Sequence, residues 1–526
     1  MRLAGVVALG LFGCARHAAP AAAVVVAPAA PGLAIVIGSD RAADDLVHVT
    51  ETWSGTVPSA LSFAPVGEAR IAEVVARDEG GALPLRAEGA RFGLSRPARG
   101  SLVVTYRVTL GRKPAASSAE PVELHVQGAD VLLVAEGEER VPVSVSLRVG
   151  EAAGGGASSF GLGADQRFVA TYGELGRSWF LAGDVGHASY HAADGDDVAA
   201  WIGHTAFDPR WVSAETAAVR GAIDTWVGAS RAAKAPPTSL LFVATKRELP
   251  PVTVGFATRG LVVSADRRAP WNAASRILVA QAMTRRYVGG LLSIGAGERF
   301  WSDGFSRAIA GQVVFEAGTI DHADRAAELN GLLAAVAFAD DPDALVTARG
   351  ALAATALDVA LHRKQADLRG FVRDLLADGS TTGHASISYA DFLRAVAATP
   401  AGDPAAQALD ATVVRGAESE LPVDTLGRCY RLERRQLVPF ELGFTTSAEQ
   451  ELAILSVKAG SRAALAGLAV GDVVRDLRYT PGRGDVPVSL TLVRGGKPRA
   501  VKFLPAGAAR PGRVFERVAG IKDEAC

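Results

Sequence analysis

The chain has 526 residues, 49% hydrophobic and 21% charged, with 55 Lys and Arg against 56 Asp and Glu and a formal net charge of -1. That length suits roughly three domains of about 150 residues. The apolar fraction excludes bulk disorder, and the balanced charge argues against a general nucleic-acid binder.

No segment carries the uninterrupted run of about 20 apolar residues that a spanning helix needs. At the N-terminus, Arg2 precedes a short apolar run from Leu3 to Gly13 of the size of a signal-peptide core. The run closes on Leu11-Phe12-Gly13-Cys14. This resembles a bacterial lipobox in which Cys14 receives lipid, although Phe12 is bulkier than the pattern prefers. Residues 1–13 then form a signal peptide, and 14–32 an Ala/Pro-rich tether stiffened by Pro20, Pro28 and Pro31. A plain signal peptide, cut near the small-residue run from Ala18 to Ala23, stays open. Either way the mature chain is exported to the periplasm or outer surface, and a lipid would hold it on a membrane. Export permits a disulfide between Cys429 and Cys526, with two free thiols as the alternative.

Residues 33–160 read as an N-terminal β-sandwich-like domain. "SLVVTYRVTL" (101–110), "VELHVQG" (122–128) and "VPVSVSLRV" (141–149) alternate or run apolar, with β-branched residues and Gly, Pro or Asp breaks. The loop "GEAAGGGASSFGLG" (150–163) reads as a flexible boundary or a surface excursion. It lacks the Lys and the strand–helix context of a phosphate loop. Residues 161–425 form a mixed domain with a strand at "TSLLFVATK" (238–246), helical from about 270. Ile277, Ala280, Thr284 and Tyr287 recur at helical spacing behind Asn272 or Ser275 as cap. "DGFSRAIAGQVVFEAG" (303–318) reads as a helix capped by Asp303 and stopped by Gly318. Further helices are expected at about 322–338, 342–364, 367–377 and 388–397, the last opening on the capping box Ser388-x-x-Asp391.

Residues 436–507 return to β structure. The string Ser456-Val457-x-x-Gly460-Ser461-x-Ala463-x-x-Ala466-Gly467-Leu468-x-x-Gly471-Asp472-Val473-Val474 resembles a PDZ domain. Such domains add an extended peptide as a strand and capture its C-terminal carboxylate in backbone N–H groups. Glu441, Leu442, Gly443 and Phe444 match the carboxylate loop. Glu441 stands where the pattern has Gly, and its charge disfavours an anionic chain end. A structural module that packs on the second domain is the competing reading.

The stretch "LVAQAMTRRYVGG" (278–290) has the shape of the zinc-peptidase helix that carries His-Glu-x-x-His before an aromatic-apolar-Gly ending. "ERFWSDGF" (298–305) looks like a Trp-x-x-Glu-Gly-Phe segment, and "TARGALAATALDVALHRK" (347–364) like a later Lys-Gly-Ala segment. "DLRGFVRDLL" (367–376) resembles the short helix that follows. With the β-rich and PDZ-like flanks, the chain resembles the glycyl-aminopeptidase family of gluzincin-type zinc metallopeptidases over most of residues 40–505. The implied fold class is α+β and multidomain: β-sandwich-like, then thermolysin-like, then PDZ-like.

The resemblance stops at the chemistry. The two helix ligands fall at Gln281 and Arg285, the general base at Ala282 and the third ligand at Asp303. Gln is a poor zinc ligand, and Arg has no lone pair to give. The family's substrate-binding Glu and His fall at Thr258 and Arg259, and its tyrosine at Thr347 or Ala348. Arg285 and Asp303 could pair across the old metal site or stand apart as solvated charges.

His187 and His191, with His204, Asp194, Asp196 and Asp197 nearby, are the other candidate metal group. Their Gly- and Asp-rich surroundings read as strand ends and loops, where ordinary polar residues are the plainer reading. No Gly-x-Ser-x-Gly or Cys/His nucleophile stands out. The expectation is a pseudopeptidase without cofactor that acts as a binding or scaffold module through its cleft or its PDZ-like domain, the latter open to a peptide or protein C-terminus, and that meets the membrane through its lipid. An active zinc aminopeptidase with unrecognised ligands is the alternative, and the only reading in which zinc is a cofactor.

Overall fold

The computed structural model describes residues 32–39, 44–66, 68–111, 117–120, 122–149, 155–192, 195–229, 237–245, 252–295, 299–339, 341–380, 385–447, 452–480, 484–521 and 526. The signal peptide, Cys14, nearly all of the tether and Asp194 lie outside them. The architecture is mixed α/β and multidomain, with separate hydrophobic cores in its N-terminal, middle and C-terminal parts.

The first part is a seven-stranded sheet against a five-stranded one. In the larger sheet Gly32–Ser39 lies parallel to Val141–Arg148 and antiparallel to Leu46–Ser54. Alternation puts Val47, Val49, Glu51 and Trp53 of Leu46–Ser54 inward on one face, as a period of two requires. The sheet does not stop at residue 160. Asp165–Ala170 returns to pair with Val141–Arg148, and Trp179–Gly183 lies between Gly155–Ser158 and Leu124–Gln127 in the smaller sheet. The described half of the glycine-rich loop is thus a strand and a tight turn, with Ala157 fully buried.

The second part begins with a five-stranded sheet ordered Gly186–Ala192, Gly195–Ile202, Thr238–Thr245, Gly260–Asp266, Val252–Ala257. Its central pairs are parallel. A parallel pair needs a crossover, and the helix Pro209–Val227 supplies it: Asp208 caps it, Pro209 opens it and Gly228 closes it in the left-handed region. The helices Ala273–Thr284, Ser306–Glu316, His322–Phe338, Pro342–His362, Leu368–Ser380, Tyr389–Ala397 and Gly402–Val413 follow. Asp303 is not the cap expected of it. Helical structure starts earlier, in the single π-helical turn Phe300–Phe305, which places Asp303 mid-turn. That turn sends Phe300, Trp301 and Phe305 into an aromatic cluster with Phe392.

Pro342–His362 is long and apolar enough to cross a membrane by length and composition. Here it is the central core helix, with Ala351, Ala354 and Leu361 buried to within 1%. It crosses the π turn at a glycine pair. A Cβ on Gly304 would lie 2.6 Å from Gly350 Cα, and one on Gly350 would lie 2.5 Å from the Phe300 carbonyl oxygen. Two helical backbones this close leave room for hydrogen alone.

The last part is an antiparallel sheet ordered Phe444–Thr446, Leu452–Val457, Val473–Arg478, Val488–Arg494, Lys497–Phe503 around Ile454, Val474, Leu490 and Leu492. A two-stranded ribbon, Tyr430–Leu437 with Arg510–Arg517, joins it to the helical region. Asn330 fixes the ribbon from the helix side: its amide donates to the Phe515 carbonyl at 3.0 Å and accepts the Phe515 N–H at 2.6 Å. Cys429 and Cys526 are joined in a disulfide that ties the chain end to the base of this ribbon.

Candidate functional site

The zinc-peptidase-like helix Ala273–Thr284 starts where Asn272 accepts the Ser275 N–H at 3.1 Å. It ends at Arg285 and turns through Tyr287 to Gly290. Gly289 makes that turn possible: its φ is +102°, and a Cβ there would meet Ser302 Cβ at 2.6 Å. The Tyr287 hydroxyl donates to Asp224 Oδ1 at 2.6 Å. Asp224 and Asp197 share the buried guanidinium of Arg220. Burial and the Asp224 charge hold the Tyr287 phenol well above its usual range. The aromatic residue of the motif thus locks the helix end to a buried ion network.

The four positions that carry catalysis in the resembled family come together here, with different chemistry. Gln281 Nε2 donates to the Asp303 carbonyl at 2.9 Å, and its Oε1 accepts from Arg307 Nη1 at 3.2 Å. Arg307 grips Glu328 with two bonds of 2.6 and 2.8 Å. Arg285 Nη2 lies 3.0 Å from Asp303 Oδ1, and Arg299 Nε donates to Asp303 Oδ2 at 3.1 Å. Arg299 also reaches Asp343. Asp303 is buried while Arg285 is 41% exposed, so the pair sits at the floor of an open surface. Arg285 also faces the Phe256 ring from 5.6 Å. Ala282 is buried and offers nothing to a proton.

A catalytic zinc takes three lone-pair donors and leaves one position open. Of these positions only Asp303 is a carboxylate, and both its oxygens already face guanidinium groups. Gln281 is spent on Arg307 and a backbone carbonyl. The donor set does not fit a catalytic zinc. Among the described residues no group of three His, Cys, Asp or Glu could hold a metal ion.

Thr258 and Arg259 sit in the hairpin turn after Val252–Ala257 and face the first domain instead. Thr258 Oγ1 is 3.0 Å from Ser178 Oγ, and Arg259 stacks 4.8 Å over Phe160, itself stacked on Phe168. Thr347 lies in the core helix beside buried Ala348, and neither brings a phenol.

His187 and His191 lie on the strand Gly186–Ala192. Four residues of strand separate them by about 13 Å, too far to share one ion. His191 Nδ1 is 2.8 Å from Asp196 across the hairpin, and Asp197 belongs to the Arg220 network.

The segment from Glu441 to Phe444 borders a cavity of about 480 Å³ shared with Phe338 and Arg510. Glu441, Gly443 and Phe444 line it, and Leu442 packs into the sheet core instead. Lys458 Nζ is 3.0 Å from Glu441 Oε1 and offsets its charge. Arg510 donates to the Ala337 carbonyl at 3.0 Å across the cavity mouth.

Arg299, Arg307, Glu328 and Asp343 belong to the site without being part of any of the resembled motif positions. Arg299 alone left a local signal, one turn before Asp303 in "ERFWSDGF".

No family model matches this chain, and no curated protein matches it. Among solved structures, an aminopeptidase N family protein from Idiomarina loihiensis superposes with a TM-score of 0.65 at 15% identity, covering 92% of this chain and 98% of its own. An M1 zinc metallopeptidase from Deinococcus radiodurans gives 0.44 at 15% identity over 72% of this chain and 92% of its own. The first likeness, over nearly the whole of both chains, shows that this chain shares the fold of that aminopeptidase N family protein.

Proposed function

We propose that this chain is an exported, lipid-anchored pseudopeptidase, a metallopeptidase-like scaffold that binds rather than hydrolyses. The observation that carries the reading is the clamp on Asp303. The one carboxylate left at the former ligand positions is neutralised by Arg285 and Arg299, so a divalent cation would meet two fixed positive charges where it needs lone pairs. The pairing supplies the countercharge that a buried carboxylate requires. In this reading the domains are β-sandwich-like, thermolysin-like and PDZ-like, and Cys14 carries the lipid.

Metal analysis of the purified mature protein, with a panel of fluorogenic aminoacyl substrates, tests this. The expected outcome is substoichiometric zinc and no chelator-sensitive turnover. One zinc per chain with turnover abolished by chelation would replace it with the active-peptidase reading. That alternative is disfavoured by the separation of His187 from His191 along one strand.

The binding surface we assign is the cavity beside Glu441 to Phe444, for a peptide or protein C-terminus. Lys458 offsets the charge of Glu441, and Phe444–Thr446 is the edge strand of its sheet, where an added strand could pair. Peptide-library binding that vanishes on C-terminal amidation is the expected result. Binding indifferent to amidation would remove the carboxylate-loop role.

A further inference from the structure

A second cavity, which none of Gln281, Arg285, Arg299 and Asp303 lines, lies between the helices Ser306–Glu316, His322–Phe338 and Pro342–His362. Its volume is about 590 Å³. Its wall holds Arg325, only 5% exposed. The Arg325 Nη1 has no hydrogen-bond partner among the described residues. Glycine at position 311 makes the space for it: a Cβ there would lie 2.0 Å from Nη1.

A guanidinium cannot shed its proton to escape burial. Taking one out of water costs several kcal/mol unless an anion answers it. The neighbours answer it incompletely. Glu328 and Asp358 attract it through space, Arg307 repels it, and burial outweighs them all. Glu328 is already committed to Arg307. The guanidinium therefore stands as an unfilled oxyanion receptor in the wall of a cavity large enough for more than an ion.

The rest of the lining chooses among oxyanions. Phe315, Leu329 and Val359 give an apolar wall, while Glu316, Asp358, Asp367 and Asp424 bring four carboxylates. Glu316 pairs with Arg369, and His362 Nδ1 lies 3.2 Å from Asp358. Asp424 is 3.6 Å from Arg363. Arg363 and Arg369 also line the cavity, so with Arg325 three guanidiniums face four carboxylates, and a dianion gains less there than a monoanion that brings its own cation. A molecule with one carboxylate and one ammonium group meets complementary charge at both ends. Cys526, held by its disulfide to Cys429, is part of the rim.

We propose that this cavity is a binding site for a small zwitterion, a free amino acid or dipeptide, whose carboxylate is taken by Arg325 and whose ammonium faces the acidic rim. The site is separate from the former metal position and stands whether or not the chain is a pseudopeptidase.

The test is isothermal titration and thermal-shift measurement on the full chain. The probes are glycine, L-leucine, L-leucyl-glycine, acetate and inorganic phosphate, each to about 10 mM, where a millimolar ligand still shifts the midpoint measurably. A zwitterion is expected to bind at least about tenfold more tightly than acetate or phosphate. Arg325→Met, which removes the uncompensated charge and keeps the bulk, is expected to fold and to lose at least about tenfold in affinity. Arg325→Lys is expected to keep part of the binding, and Gly311→Leu to abolish it by displacing the guanidinium. Three results would overturn the assignment: no response to any zwitterion, tighter binding of phosphate, or full affinity in folded Arg325→Met.

Discussion

Arg285 and Asp303 form an ion pair at 3.0 Å, across positions that the resembled family uses to hold a metal. The helix that carries Arg285 and the π turn that carries Asp303 keep the approach such a centre needs. The side chains turn that approach into an internal salt bridge. At these positions the positive charge is supplied by a side chain.

This makes Asp303 the keystone of the local charge balance. Asp303→Asn leaves Arg285 and Arg299 facing a neutral amide and each other. The expected cost is about 1–2 kcal/mol, moderated because both arginines reach water. Urea denaturation reads it, and a variant midpoint equal to that of the parent would show that the pair contributes nothing.

Gly350 is expected to be intolerant of any side chain. Valine there would collide with the Phe300 carbonyl and force the core helix off the π turn. A cost of about 3 kcal/mol or more is expected, as for overpacking a rigid crossing. A thermal midpoint within a degree or two of the parent's would disprove the close crossing.

Stability of the first domain should depend on pH through Glu51. It lies fully buried in the inward row of its strand, where Tyr106 and the Leu133 N–H both donate to Oε1 and Oε2 has no hydrogen-bond partner among the described residues. Burial pushes its pKa from 4.5 up to about 8, against the lowering effect of those bonds. The folded pocket thus holds the proton more tightly than the unfolded chain does. Stability from this group is full below 4.5 and is lost as pH rises through about 8. Denaturant midpoints are expected to fall between about pH 5 and pH 8.5, and Glu51→Gln to flatten the slope. Burial also raises Asp358, which adds a slope of the same sign that the variant retains. An unchanged profile in Glu51→Gln would assign the pH dependence elsewhere.

Reducing the Cys429–Cys526 bond should loosen the chain end first. The bond closes a loop with a sequence separation of 97. Chain entropy alone makes such a closure worth about 4.7 kcal/mol, and measured effects run about 2–4. Cys526→Ser is expected to lower the first thermal transition and to remove the effect of reductant. Equal transitions with and without reductant in the parent would contradict this.

Much of the fold was legible because its signals are local. The capping box at Ser388 and Asp391, the Asn272 cap and the alternation of Val141–Arg148 each depend on a few neighbouring residues. The helix Pro209–Val227 went unnamed although Asp208-Pro209 and Gly228 bracket it, because the mixed patterning around it masked its period. Asp303 was misread as a cap because an acid before a helical run looks the same whether it opens the helix or sits one turn inside it.

The sequence by itself determined what this protein lacks at the positions where the resembled family places its metal ligands. A side chain's capacity to donate a lone pair belongs to the residue and needs no context, so Arg285 and Ala282 spoke without a structure. Only the tertiary structure decided what those residues do instead. It brought Arg299 beside Arg285 on one carboxylate, spread His187 and His191 along a strand, carried Asp165–Ala170 back into the first sheet, and left Arg325 Nη1 buried with no hydrogen-bond partner among the described residues. Each joins or isolates groups by long-range packing. Local periodicity carries no record of such packing, because pairing partners are chosen by the whole chain's burial and not by neighbours in sequence.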